Sequence, residues 1–118
     1  MTPKRTKRRI YIAGPMAGIP AFNYPAFNQW AATWRNINFH VENPAEIGAA
    51  FGTPEQIDAD PCLLAAVMTA DIRALKTCDA IFLLNGWENS RGAKMELATA
   101  LAEGFEVYTE AAHTSRGA

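Results

Sequence analysis

Arg9-Ile10-Tyr11-Ile12-Ala13-Gly14-Pro15 and Asp79-Ala80-Ile81-Phe82-Leu83-Leu84 are the two stretches that decide the fold. Each is a short, nearly unbroken apolar run. Gly14-Pro15 ends the first and Asn85-Gly86 the second. Runs of this length bounded by turn formers suit strands buried on both faces of a parallel sheet. Two weaker strands are expected at Phe39-His40-Val41-Glu42, closed by Asn43-Pro44, and at Glu106-Val107-Tyr108-Thr109. Helical spacing of Phe27, Trp30, Ala31 and Trp34 predicts a helix from Pro25 to about Arg35, with Pro25 suited to its first turn. A second is expected from about Pro61 to Lys76, with Leu64, Val67, Met68, Ile72 and Leu75 on its apolar face. Ser90 is a good N-cap for a third, from Arg91 to about Glu103, and Gly104 is a good stop. Residues 15–25 read as a stiff loop. Residues 45–60 show no clear period beyond a turn of helix at Pro44–Ile47.

Strands alternating with helices imply right-handed crossovers. The expected fold is α/β: a single doubly wound, Rossmann/flavodoxin-like three-layer domain with a mainly parallel sheet of about four to five strands. Residues 9–110 would form it, after a basic flexible arm (1–8) and before a loose tail (111–118). The chain has 118 residues, 49% hydrophobic, with net charge −1, which suits one domain and excludes disorder over most of its length. It contains no apolar run long enough to span a membrane and no export-signal pattern, so no membrane partner and a cytoplasmic location are expected.

Five of the eleven basic residues lie in the first nine positions, leaving six basic against twelve acidic groups in residues 10–118. An acidic body argues against duplex binding, so a nucleic-acid partner is not expected; a nucleic-acid role would rest on the arm. Cys62 and Cys78 are expected as buried free thiols. His40 and His113 lack partners at metal spacing, so no metal or other cofactor is expected.

In such sheets ligands sit beyond the carboxyl ends of the strands, which places Gly14–Tyr24 and Asn85–Gly92 on the functional rim. Ser90-x-Gly92-x-x-x-Glu96 joins a helix start that favours anions to a carboxylate among small neighbours, Gly92, Ala93, Thr99 and Ala100. Glu96 is either that site's carboxylate or a surface residue paired with Lys94 or Arg91. Asp71 interrupts an apolar helix face and either joins Glu96 or faces solvent. Tyr11 either aims its hydroxyl at Glu96 or is a core aromatic. Phe22, Tyr24 and Trp87 are rim aromatics placed to stack on a base or to pack in the core. Gly14-Pro15-Met16-Ala17-Gly18 falls short of the dinucleotide fingerprint.

Five blocks carry a resemblance. They are Ile10 to Met16, Phe22-Asn23-Tyr24-Pro25-Ala26-Phe27, Asn43-Pro44-Ala45-Glu46, Asp71 to Leu75 with Cys78-Asp79-Ala80, and Gly86-Trp87-Glu88-Asn89-Ser90-Arg91-Gly92-Ala93-x-x-Glu96. In this order, over about residues 9–108, they resemble a group of small phage and bacterial proteins of unknown function. That group looks like a compact branch of the nucleoside 2-deoxyribosyltransferase superfamily, which includes nucleoside 5′-monophosphate N-glycosidases. The resemblance implies a nucleophile at Glu96, a base-contacting proton donor at Asp71 and an orienting tyrosine at Tyr11. It implies phosphate contacts at Ser90 and Gly92, with the Gly14 loop as a second candidate. Met16, Asn23, Tyr24, Trp87 and Asn89 complete the expected substrate-binding set. The implied ligand is a nucleoside or nucleotide, and the implied assembly is a homo-oligomer, a dimer or higher. Trp30, Trp34 and Phe27 would supply an interface or pack on the sheet. The expected function is cleavage of an N-glycosidic bond by hydrolysis or deoxyribosyl transfer; the alternative is a non-catalytic nucleotide-binding protein on the same fold.

Overall fold

The computed structural model describes residues 7–115. Strand β1 (Arg9–Ala13) leads through a 3-10 turn (Pro20–Asn23) into helix α1 (Tyr24–Asn36) and strand β2 (His40–Glu42). Helices α2 (Pro44–Ala49), α3 (Pro54–Ala59) and α4 (Pro61–Leu75) precede strand β3 (Ala80–Leu83). A second 3-10 turn (Trp87–Asn89), helix α5 (Arg91–Ala102), strand β4 (Glu106–Thr109) and helix α6 (Glu110–Ser115) follow. The strands form one sheet, order β2-β1-β3-β4, with every pair parallel. The two apolar runs therefore lie side by side at its centre, with Tyr11 opposite Ile81 and Ile12 opposite Phe82. The chain goes to one side of β1 first and to the other side next, so the β1/β3 boundary is the topological switch point.

Alternation along the central strands sorts the core into two layers. Ile10, Ile12, Ala80 and Phe82 meet Phe27, Ala31 and Trp34 of α1 on one face. Tyr11, Ala13, Ile81 and Leu83 meet Leu75 of α4 and Ala93 and Ala100 of α5 on the other. The α1 aromatics thus pack on the sheet: Phe27 and Trp34 are buried, and the Trp30 ring lies 4.7 Å from Phe82. Among the described residues no helix is long and apolar enough to cross a membrane.

The region without a clear period holds two short helices, and a cap followed by proline starts each of them. Asn43 Oδ1 accepts the Ala45 N–H at 3.0 Å before Pro44 opens α2. Thr53 and Gln56 form a reciprocal capping box around Pro54 at the start of α3. Asp60 Oδ1 accepts the Cys62 and Leu63 N–H groups before Pro61 opens α4. These pairs satisfy otherwise orphaned donors and pre-set the first helical turn, which lets six-residue helices form.

The structure corrects several expectations. The tail from 111 is not loose as far as it is described: α6 covers Glu110–Ser115, and the His113 ring packs against Trp30, Trp34, Phe82 and Tyr108. Arg8 is not part of a free arm, because it pairs with Glu106 and lies over the Phe39 ring. Residues 1–6 lie outside the described part. Cys62 is exposed at the start of α4; only Cys78 is buried.

Candidate active site

Tyr11 is fully buried on the α4/α5 side of β1, and its hydroxyl donates to Glu96 Oε2 at 2.6 Å. Register makes this possible: residues 10 and 12 face α1, so 11 faces the opposite layer, where Glu96 lies on α5. Asp71, on α4, is only 9% exposed, and its Oδ1 has no hydrogen-bond partner. Asp71 and Glu96 line one cavity of about 220 Å³. Gly14, Met16, Tyr24 and Phe22 form part of its wall, and Ser90 and Gly92 bring in the start of α5. Leu64, Met68 and Met95 also line it while standing substantially exposed, so they mark its mouth. A more open hollow of about 390 Å³, between residues 18–22 and α3, shares Phe22 and Asp58 with this cavity but contains neither Asp71 nor Glu96.

The electrostatics follow from burial. Desolvation, with the Glu96 charge added, pushes Asp71 up to about 8. Desolvation also lifts Glu96, to about 7, against the Tyr11 hydrogen bond that favours its ionised form. Tyr11 is raised well above its ordinary value by burial and by both carboxylates, so it stays a proton donor. Near neutral pH Asp71 is thus mainly a neutral acid, while Glu96 is substantially a carboxylate. Two carboxyl groups whose environments separate them in this way can serve as an acid and a nucleophile or base.

Local structure explains each position. Ser90 Oγ accepts the Ala93 N–H at 3.1 Å and caps α5, leaving the N–H groups of its first two residues turned outward. A Cβ on Gly92 would meet nothing within 4 Å, so packing does not require this glycine, and it borders the cavity. Gly14 differs: a Cβ there would come within 2.7 Å of Leu84 Cβ, so its absence lets β1 and β3 close up at the switch point. Asn23 has a left-handed backbone (φ 61°), and its side-chain amide donates to the Pro15 carbonyl at 3.1 Å. It braces the 15–23 loop rather than lining the cavity. Trp87 packs on the α4/α5 core and Asn89 is exposed; neither borders the cavity.

Residues beyond those singled out also line it, among them Ile57 and Asp58 of α3 and Met95 of α5. Leu64 and Met68 belong to the apolar face expected of α4, and that face is wider than the core it covers. The lining includes three carboxylates, Asp58, Asp71 and Glu96, and no lysine or arginine. Among the described residues no group of three His, Cys, Asp or Glu is placed to hold a metal ion.

The family model for a domain of unknown function, DUF4406, matches residues 8–109. The chain belongs to the DUF4406 family. The match runs from the residue before β1 to the end of β4, so the DUF4406 domain contains Tyr11, Asp71, Glu96 and the whole cavity lining. It also begins at Arg8, the residue that already contacts Glu106 and Phe39. No curated protein matches the chain.

Proposed function

We propose that the protein cleaves the N-glycosidic bond of a nucleoside or nucleoside 5′-monophosphate, in keeping with the likeness to the nucleoside 2-deoxyribosyltransferase superfamily. The observation that carries this reading is a carboxylate held by a buried tyrosine at 2.6 Å in the same cavity as a second, unpartnered carboxyl group. Glu96 attacks C1′ to form a glycosyl ester as the C1′–N bond breaks, through an oxocarbenium-like transition state. The bonding pair leaves with the base, and Asp71 supplies its proton. Tyr11 keeps the attacking carboxylate ionised and in line. Water then attacks C1′, its proton passes to the Asp71 carboxylate, and Glu96 leaves as the free carboxylate, which completes hydrolysis; a second base that gives its N–H proton to Asp71 in place of water completes a transfer. The outward N–H groups at the start of α5 offer the cavity a favourable position for a 5′-phosphate.

The test is incubation with a panel of nucleosides and nucleoside 5′-monophosphates, ribo and deoxy, with base release followed by chromatography. Wild type is expected to release base from at least one member. Glu96→Gln is expected to lose this by 10³-fold or more while still folding, as for removal of a nucleophile. Full activity in Glu96→Gln overturns the mechanism. A panel member that raises the melting temperature while no member releases base would leave a binding protein and overturn the enzymatic reading.

A further inference from the structure

Tyr24 opens α1 and borders the cavity together with Asp71. Its hydroxyl has no hydrogen-bond partner among the described residues. A Cβ on Gly48, in α2, would stand 2.3 Å from Tyr24 Oη but 3.5 Å from Cζ. The collision is therefore with the oxygen alone; the ring by itself would make an ordinary contact. Gly48 is buried within a six-residue helix, where glycine is less favourable than alanine.

Holding α1 against α2 does not depend on this approach. Asn43 Nδ2 donates to Asn28 Oδ1 at 2.9 Å, and Arg35 forms a two-pronged pair with Glu46 at 2.7 Å. These contacts tie the two helices together beyond Tyr24 along α1 and ahead of Gly48 along α2, away from the hydroxyl's seat. The glycine thus makes room for a polar atom that has no hydrogen-bond partner among the described residues, on a residue that lines the same cavity as the buried, unpartnered Asp71 Oδ1.

We infer that Gly48 is a positioning residue for the Tyr24 hydroxyl, and that this hydroxyl is a specificity-determining contact to the heterocyclic ring that Asp71 also meets. The assignment rests on the proposed N-glycosidic chemistry. The hydroxyl acts in binding: it holds the ring before and during bond cleavage, so its loss raises KM and leaves kcat nearly unchanged.

The experiment compares wild type, Gly48→Ala, Tyr24→Phe and the double variant. Each is measured for melting temperature without ligand, and for KM and kcat on whichever panel member the wild type turns over. Tyr24→Phe is expected to raise KM about tenfold and to change kcat less than about threefold, as for a lost neutral hydrogen bond. Gly48→Ala is expected to lower the melting temperature and to raise KM to a similar extent. In the double variant the melting temperature returns to that of Tyr24→Phe, because the colliding oxygen is gone, and KM is no higher than in Tyr24→Phe alone. An unchanged KM in Tyr24→Phe, or additive losses in the double variant, overturns the assignment while base release by the wild type preserves the proposed function. A wild type that releases no base from any panel member overturns both.

Discussion

Tyr11→Phe isolates the bond on which the chemistry turns. The substitution keeps the ring that packs between Ala13, Leu75 and Ala93 and removes one oxygen. That oxygen donates to Glu96 at 2.6 Å. A hydrogen bond to a charged group contributes about 1.5–3 kcal/mol, which at about 1.4 kcal/mol per pKa unit corresponds to roughly one to two units. Glu96, at about 7 in the wild type, should then rise by that amount. The nucleophile must be ionised, so the acid limb of the kcat/KM–pH profile moves to higher pH in the variant. At pH 7 the ionised fraction drops from about half to roughly 1–10%, a five- to fifty-fold loss. Raising the pH recovers part of it, until the alkaline limb set by the Asp71 proton, at about 8, takes over. The assay is initial-rate base release between pH 5 and 9.5, with circular dichroism to verify folding. An acid limb that stays in place would show that Tyr11 does not control the Glu96 proton.

Three further outcomes are expected. Asp71 has its folded-state pKa raised to about 8 by desolvation and Glu96, so its contribution to stability is fully present below about 4 and is lost as pH rises toward 8. Asp71→Asn should therefore match wild type in urea unfolding near pH 4 and exceed it by on the order of a few kcal/mol near pH 8.5; parallel pH curves would refute the burial argument. Gly92→Ala should raise the melting temperature by about 2–4 °C through helix propensity and weaken ligand binding tenfold or more, because its methyl group enters the cavity; a variant that binds normally would remove Gly92 from the site. Ser90→Ala should cost about 1 kcal/mol of stability by uncapping α5, read as a drop of several degrees in the thermal midpoint; no drop would mean that the Ala93 N–H finds another acceptor.

The central sheet was legible because β1 and β3 are buried on both faces and had to be apolar throughout. Asp71 stood out as a polar break in an apolar stripe, but spacing alone left Tyr11, Asp71 and Glu96 each open to a core or surface reading, and only the family resemblance joined them. Helices α2 and α3 were not, since six residues are too few to display a period. Their signal lay instead in Asn43-Pro44 and Thr53-Pro54, cap-and-proline pairs that read equally well as strand ends and turns. Helix α6 has no apolar stripe; the His113 ring packs against aromatics from α1, β3 and β4, and Glu110 accepts the Asn85 N–H, contacts that no local pattern reveals. Trp87 could not be assigned because a loop aromatic has the same local sequence whether it meets a ligand or a core. The meeting of Tyr24 with Gly48 depends on how two helices cross, which no spacing within either one reveals.

The oxygen that steers Glu96 belongs to a residue in the middle of the innermost ladder, not to a loop. Fluctuations of surface segments can admit or expel a ligand, but they cannot carry that phenol away from its station without tearing strands apart. Heat inactivation should consequently track global melting, with no earlier stage at which a folded population has gone silent.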